Sequence, residues 1–269
     1  MNTLICIQAR MSSSRLPGKV LKPLAGAPLL QRMLERVQEA SIDSDIWVIT
    51  SEQPEDDAIE SLCKTLHTTC YRGHPTDLLD RHYQAACVHG AEIIAKIPSD
   101  CPLIDPKVIE QVFSHFRLSD FDYVSNLHPA TYPDGNDVEI FQFSVLEEAW
   151  HKAQKEFERE HTTPFIWERP ERYHIGNVVW DTGLDYSMSH RWTIDYPEDH
   201  EFIRTIYDYL WDPEDPMFSL EDILYFLQSH PEVSTINAQY AGVNWYRNHL
   251  SELHTITADQ TRIIENSPV

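Results

Sequence analysis

The sequence predicts an α/β protein built on a mostly parallel central sheet that is flanked by helices. Two observations carry this prediction: short continuous apolar runs, which are typical of strands buried on both faces, and amphipathic helical patterns that alternate with them. Strands and helices that alternate along a chain indicate an open sheet with helices on both sides. The 269 residues, of which 42% are hydrophobic, are enough for one large domain of this class with a small appendage.

Apolar runs and alternating patterns predict the strands. The continuous runs span residues 4–7, 46–49 and 91–97. Shorter strand-like stretches follow at residues 122–125, 173–180 and 191–194. Residues 137–143 alternate between polar and apolar side chains, and we expect this strand to run against the others.

Apolar residues at helical spacing predict the intervening helices. These patterns cover residues 29–37, 59–66, 78–87, 106–116, 144–157, 160–168, 198–210 and 219–228. Ser219 is expected to cap the last helix. We expect one main domain over residues 1–236 and an irregular C-terminal extension over residues 237–269, since no repeat or linker composition interrupts the chain.

The charge is strongly negative but unevenly distributed. A net charge of −22 argues against nucleic acid or an anionic membrane as a partner, because either would need a broad basic surface. Residues 1–34 contain no Asp or Glu, although five Arg and Lys residues lie there. This contrast predicts a focused anion site in an acidic protein.

Neither the cysteines nor the histidines suggest a metal or disulfide framework. The five cysteines form no CxxC pair, and the fourteen histidines show no HExxH spacing, so we expect reduced thiols and ordinary histidines. No apolar run approaches the roughly 20 residues that span a bilayer, and no basic segment precedes the first strand. We therefore expect a cytoplasmic protein.

The loop after the first strand carries the strongest functional pattern. Ligands of open α/β sheets bind beyond the carboxyl ends of the strands, and here the first strand runs into a loop rich in hydroxyl groups with Arg10, Arg15 and Lys19. Backbone donors and fixed positive charges are what a triphosphate requires. We expect Arg15 and Lys19 to lie exposed, with their charges facing the ligand rather than each other. The alternative is a solvated basic turn.

Two carboxylates follow other strands and are candidates for a magnesium site. Asp100 comes just after the run at residues 91–97, and Asp195 follows residues 191–194. Mg²⁺ binds one or two carboxylates and fills its other positions with phosphate and water. An Asx turn is the alternative for Asp100. Asp105 and Asp199 are better explained by the starts of the helices that follow them.

Several long motifs in one order make the chain resemble a known family. They are IQARMSSSRLPGKVLKPL at residues 7–24, RG at 72–73 with DLLDR at 77–81, SDCPLIDP at 99–106, TYPDG at 131–135 with DVE at 137–139, EREHTTP at 158–164 and TIDYPED at 193–199. The chain resembles the SpsF-like nucleotidyltransferases, which belong to the wider cytidylyltransferase family that activates sugar acids such as Kdo and sialic acid. The resemblance covers about residues 5–237.

The resemblance implies a Rossmann-like nucleotide-diphospho-sugar transferase fold and a reaction. CMP would pass from CTP to a small anionic acceptor, such as a sugar acid for surface polysaccharide synthesis, with release of pyrophosphate. By similarity, catalysis falls to Arg15, Lys19 and Asp100, nucleotide binding to Gln8, Ala9, Arg10, Arg15, Lys19, Arg81 and Ser99, and Mg²⁺ binding to Asp100 and Asp195. Ser99 stands where related sequences often carry Gly or Thr.

A polar cluster after the third strand is the expected acceptor pocket. Its members are Tyr132, Asp134, Asn136, Asp137, Glu139, Arg159, Glu160 and His161. The alternative is a solvated loop that turns at residues 133–135. The identity of the acceptor does not follow from the resemblance, because the acceptors of the SpsF-like group are less well defined than those of the Kdo and sialic acid enzymes.

Two other functions compete with this interpretation. A glycosyltransferase that uses a nucleotide sugar shares the fold class and the metal requirement, but its DxD motif is absent beside Asp100. A non-catalytic nucleotide-binding subunit of a polysaccharide assembly would bind CTP without forming pyrophosphate. The sequence leaves the oligomeric state open, with a homodimer among the states considered.

Overall fold

The computed structural model describes residues 2–264 and contains a seven-stranded central sheet. The strands of the sheet are β1 (Thr3–Gln8), β4 (Asp45–Ser51), β5 (Thr69–Gly73), β6 (Ile93–Pro98), β7 (Tyr123–Ser125), β8 (Glu139–Gln142) and β9 (Ile175–Asn177), and a small hairpin is formed by β2 (Pro23–Leu24) and β3 (Ala27–Pro28). The strand order is β5-β4-β1-β6-β8-β7-β9, and β8 alone is antiparallel to its neighbours. The mostly parallel sheet and its antiparallel strand are therefore confirmed.

Helices cover both faces of the sheet. They are α1 (Leu29–Glu39), α2 (Asp57–Thr65), α3 (Leu78–His89), α4 (Pro106–Phe116), α5 (Phe143–Lys152), α6 (Glu156–Glu160), α7 (Pro164–Trp167), α8 (Pro197–Leu210) and α9 (Leu220–Ser229). None of the helices within residues 2–264 is long and apolar enough to cross a membrane.

The side chains of β1 show why the sheet is covered twice. Ile5 and Ile7 pack into the cluster that contains α1 and α4, whereas Leu4 and Cys6 pack into the cluster that contains α3 and α5. Successive side chains of a strand point to opposite faces, so a continuous apolar run needs apolar neighbours on both sides. The central position of β1 brings its carboxyl end to the middle of the sheet edge.

Three predicted elements differ in the structure. Residues 191–194 do not form a strand, because the N–H groups of Trp192 and Ile194 donate to Asp134 O at 2.7 Å and Asp100 O at 2.9 Å, in two different loops. The helix expected over residues 144–157 breaks after Lys152 and resumes at Glu156. The segment expected as a helix over residues 160–168 becomes helical at Pro164, a residue suited to the first turn because it has no N–H to satisfy. Strand β5 and the β2–β3 hairpin were not predicted.

The predicted helix caps are present. Asp105 caps α4 by accepting from Lys107 N at 2.8 Å, and Ser219 caps α9 by accepting from Asp222 N at 3.1 Å. Asp199 lies in the first turn of α8 and accepts from Tyr196 N at 2.9 Å. Between Asn237 and Ile264 the chain forms short 3₁₀ helices rather than strands or α-helices.

Candidate active site

A cavity of about 1290 Å³ opens at the carboxyl ends of β1 and β6. The loop after β1 forms one side, the segment from β7 to β8 forms another, and residues 242–249 of the C-terminal segment form a third. Ligand pockets for one small molecule usually measure roughly 300–1,000 Å³. This cavity has room for more than one substrate.

Lys19 joins the two candidate metal carboxylates. Its Nζ lies 3.1 Å from Asp100 Oδ2 and 3.0 Å from Asp195 Oδ1, and it also donates to Ile194 O at 2.6 Å. Arg15 Nη2 lies 2.8 Å from the same Asp195 oxygen. The structure therefore brings the cationic loop and both candidate metal carboxylates to one point.

The expectation that Lys19 lies exposed was wrong, and Arg15 is only partly exposed. Lys19 is buried and both residues form ion pairs with Asp195. The physical reason is that Thr193 Oγ1 and Ile194 N both bond to Asp100 O, which holds residues 193–195 directly over the loop. Burial opposes ionisation of Asp195, but Lys19, Arg15 and Arg191 outweigh it and hold the pKa of this carboxyl well below its usual range.

Arg191 is a buried cation that the sequence analysis did not single out. Its guanidinium lies 3.0 Å from Asp195 Oδ2, 2.9 Å from Asp199 Oδ1 and 3.5 Å from Asp134 Oδ2. Burial lowers its pKa, but these carboxylates raise it above the ordinary arginine value. Arg191 thus holds one oxygen of the Asp195 carboxylate, and Lys19 contacts the other. In the sequence, the position of Arg191 four residues before Asp195 was the feature that could have indicated this pairing.

The residues expected near the nucleotide line the cavity around the end of β1. They are Gln8, Ala9, Arg10, Arg81 and Ser99. Gln8 Oε1 is buried without a hydrogen-bond partner among the described residues, and Arg10 has no ion pair with a carboxylate within them. Arg81 has a further structural role, since its guanidinium donates to His74 O and Pro75 O, and burial lowers its pKa to about 10.

The residues expected to bind the acceptor fall into three groups. Asp134, Asp137, Glu139, Glu160 and His161 line the cavity. Tyr132 and Asn136 also line it, but their polar atoms bond elsewhere: Tyr132 OH donates to Gln111 at 2.7 Å, and Asn136 Oδ1 accepts from Asp105 N at 3.0 Å. Arg159 is not part of the lining, because it pairs with Asp77.

Glu139 lies at the centre of a buried polar network. One of its oxygens pairs with Lys96, and the other accepts hydrogen bonds from Thr163 and from Tyr123 OH at 2.7 Å. Burial opposes the ionised form, but Lys96 and the two hydroxyl groups lower the pKa of Glu139. Lys96 and Thr163 were not predicted, although a lysine inside the apolar run at residues 91–97 was a visible signal.

Aromatic rings also line the cavity. His161 stacks on Trp245 with ring centroids 3.8 Å apart, and His128 stacks on Trp167 at 4.3 Å. Burial lowers the pKa of His161 well below its usual value, so this ring is neutral near pH 7. Trp245 comes from the C-terminal extension, whose contribution to the site was not predicted.

Comparison with known proteins gives the family. The family model described as cytidylyltransferase matches residues 4–236. The spore coat polysaccharide biosynthesis protein SpsF of Bacillus subtilis is 30% identical over 86% of this chain and 96% of its own length. A cytidylyltransferase structure from Leptospira borgpetersenii superposes with a TM-score of 0.80 at 31% identity, over 87% of this chain and 96% of that one.

A more distant relative shares only part of the chain. The 8-amino-3,8-dideoxy-manno-octulosonate cytidylyltransferase of Shewanella piezotolerans is 35% identical over 44% of this chain and 48% of its own length. The fold and the site together define a nucleotidyltransferase. The chain belongs to the cytidylyltransferase family and is a CTP-dependent enzyme of this class. This membership favours nucleotidyl transfer over both alternatives weighed from the sequence.

Proposed function

We propose that this enzyme transfers CMP from CTP to a sugar acid and releases pyrophosphate. One observation carries the proposal: Lys19, Asp100 and Asp195 meet within one cavity that has room for two substrates. The names of SpsF and of the Shewanella enzyme support an acceptor that belongs to polysaccharide synthesis and resembles an octulosonate.

The residues at the end of β1 suit a cytidine triphosphate. Arg10, Arg15 and Lys19 would bind the phosphates, because guanidinium and ammonium groups form charge-assisted hydrogen bonds with phosphate oxygens. The unpartnered Gln8 Oε1 can accept a hydrogen bond from the amino group of cytosine. Ser99 and Arg81 would complete this side of the pocket.

Asp100 and Asp195 fit a magnesium ion. Each presents a carboxylate oxygen within 3.1 Å of the same Lys19 nitrogen, so the two already share one cation. Two carboxylates with phosphate oxygens form the oxygen ligand set that Mg²⁺ prefers. When bound, the ion would neutralise phosphate charge as the reaction proceeds.

The reaction itself needs positioning rather than a protein nucleophile. An acceptor hydroxyl oxygen bonds to the α-phosphorus, its proton passes to solvent, and the bond from the α-phosphorus to the bridging oxygen breaks as pyrophosphate departs. Arg15 and Lys19 stabilise the charge on the leaving group. Asp134, Asp137, Glu139 and His161 would surround the acceptor, with Tyr132, Asn136 and Glu160 beside them.

A pyrophosphate-release screen tests the proposal. Four nucleoside triphosphates are combined with sugar acids, sugar phosphates and phosphonates in the presence of Mg²⁺. We expect CTP with a sugar acid to release pyrophosphate and one equivalent of a CMP-linked product. Lys19→Ala should abolish this activity, and Lys107→Ala, an exposed lysine of α4, should retain it. Turnover with another triphosphate but not with CTP would overturn the proposal.

A further inference from the structure

The C-terminal segment forms a wall of the cavity although it lies beyond the family's common region. The family model ends at residue 236, whereas Val243, Asn244, Trp245 and Arg247 line the cavity. Residues outside the matched region therefore reach the site at which the family performs its chemistry.

This segment is attached firmly to the phosphate side of the site. Asn237 Nδ2 donates to Asp199 Oδ1 at 3.0 Å, and Val243 O accepts from Arg191 Nη1 at 3.0 Å. Tyr240 stacks on Tyr196, with ring centroids 3.8 Å apart and planes 5° from parallel. The segment is thus held by the same residues that orient Asp195.

The absence of a side chain at Gly242 allows the segment to pass close to Met188 as it turns into the cavity. Gly242 has a φ of +75°, and a Cβ at this position would lie 2.6 Å from the Cε of Met188. Further along, Leu253 and Ile256 are buried in the core cluster that contains Leu4 and Cys6. The wall is a packed part of the fold on both sides of Arg247.

Arg247 is a half-buried cation without a carboxylate partner. Its Nη1 donates to Asn244 O at 2.6 Å, and it forms no ion pair with any carboxylate among residues 2–264. Burial lowers its pKa, and the nearby guanidinium groups of Arg15 and Arg191 lower it further, against the opposite effects of Tyr196 and Asp195. Asp195 pairs with Lys19, Arg15 and Arg191 rather than with Arg247, so a bound anion would stabilise the Arg247 guanidinium.

We propose that Arg247 binds the β- and γ-phosphates of CTP and the pyrophosphate that is released. This inference rests on the proposed function, which places the triphosphate on Arg15 and Lys19. Arg247 and Arg15 line the same cavity, and the segment that carries Arg247 stacks through Tyr240 on Tyr196, whose ring centroid lies 5.4 Å from the Arg15 guanidinium. A polyanion bound at Arg15 would therefore lie on the same side of the cavity as Arg247. Binding of the leaving group then depends on a residue outside the family's common region.

Binding measurements with three probes test the inference. CTP, CMP and inorganic pyrophosphate are titrated calorimetrically, with Mg²⁺, into the full-length wild type, Arg247→Gln and Arg247→Lys. Arg262→Gln is the matched control, because Arg262 lies exposed on the same segment. We expect Arg247→Gln to bind CTP and pyrophosphate about tenfold more weakly, with CMP affinity and Tm unchanged. Arg247→Lys should recover most of the loss.

The outcomes separate this inference from the proposed function. If wild type binds CTP and Arg247→Gln binds CTP and pyrophosphate equally well, the Arg247 assignment is overturned and the proposed function stands. Equal weakening of CMP and CTP would also overturn it, because CMP lacks the β- and γ-phosphates. If pyrophosphate binding depends on Arg247 but wild type releases none from CTP, the proposed function fails and the Arg247 site remains.

Discussion

The charges around Asp195 show that the site is neutralised internally before any substrate binds. Lys19, Arg15 and Arg191 surround this carboxylate. A triphosphate that binds Arg15 and Lys19 has to compete with Asp195 for them. A divalent cation would replace the positive charge that Asp195 loses when Arg15 and Lys19 turn to the phosphates. This is a physical reason for the triphosphate and magnesium to bind together.

Asparagine substitutions at Asp100 and Asp195 separate a metal role from a structural one. Both variants should lose most activity and require more Mg²⁺ for the remainder, because each loses one anionic ligand. Asp195→Asn should also lower the free energy of unfolding by about 2 kcal/mol, since it leaves buried cations without their counter-charge. Asp100→Asn should not, because the ion pair with Lys19 is the only one that Asp100 forms among residues 2–264.

Magnesium titration of activity and urea unfolding of the two single variants and the double variant provide the test. Residues that act on one ion behave as a unit, so the double variant should lose less activity than the sum of the single losses. An unchanged Mg²⁺ requirement in Asp195→Asn would remove that residue from the metal site.

Asp137 makes stability depend on pH. Burial, with Asp100 as the next cause, raises the pKa of Asp137 to about 6. A folded-state pKa raised above the unfolded value of about 3.9 means that its contribution to stability is present below that value and is lost as pH rises through about 6. Asp137→Asn, which keeps an oxygen for the Gly135 N–H at 3.3 Å, should therefore raise Tm at pH 7 but not at pH 4.

Melting curves at the two pH values check this effect. Asp43→Asn, at an exposed position, serves as the control and should leave Tm nearly unchanged at both. A gain in Tm for Asp137→Asn that is equal at pH 4 and pH 7 would contradict an origin in ionisation.

At the scale of elements, the start of α8 holds the site together. Asp199 accepts from Asp195 N and Tyr196 N at 2.9 Å, pairs with Arg191 and receives a hydrogen bond from Asn237. One buried carboxylate thus connects the helix, the irregular segment before it and the C-terminal segment. An acidic residue in the first turn also interacts favourably with the helix dipole.

Removal of this carboxylate should destabilise the whole fold. Asp199→Ala leaves Arg191 with fewer partners in a buried position and should lower the free energy of unfolding by about 3 kcal/mol. Glu198→Ala, in the same turn but without contact to Arg191, should change it by less than about 0.5 kcal/mol. Urea unfolding measures both, and equal effects of the two substitutions would contradict the role given to Asp199.

At the scale of the whole molecule, five cationic side chains come together in one cavity of an acidic protein. The net charge is −22, whereas Arg10, Arg15, Lys19, Arg191 and Arg247 line this cavity together with carboxylates such as Asp100, Asp134 and Asp195. Low-dielectric walls strengthen charge interactions inside such a cavity. The fold therefore balances the carboxylates of the cavity with cations where a triphosphate would bind, although the protein as a whole is negatively charged.

The sequence by itself determined the features that depend on neighbouring residues. Apolar runs and helical spacing predicted the buried strands and their helices, and the Asp105 and Ser219 caps followed from local hydrogen bonding. The position of the cationic loop beyond β1 also followed, because parallel strands place their carboxyl ends at one edge. Each of these features is set within a few residues of the chain.

Only the tertiary structure decided which distant residues meet. Lys19 pairs with Asp100 and Asp195, which are 81 and 176 residues away, and no local pattern encodes such a pairing. The same holds for Arg159, which pairs with Asp77 instead of lining the cavity, and for Arg247, which reaches it from beyond the common region. The physical reason is that ion pairs and cavity walls depend on how elements pack, whereas periodicity reports only which face of an element is buried.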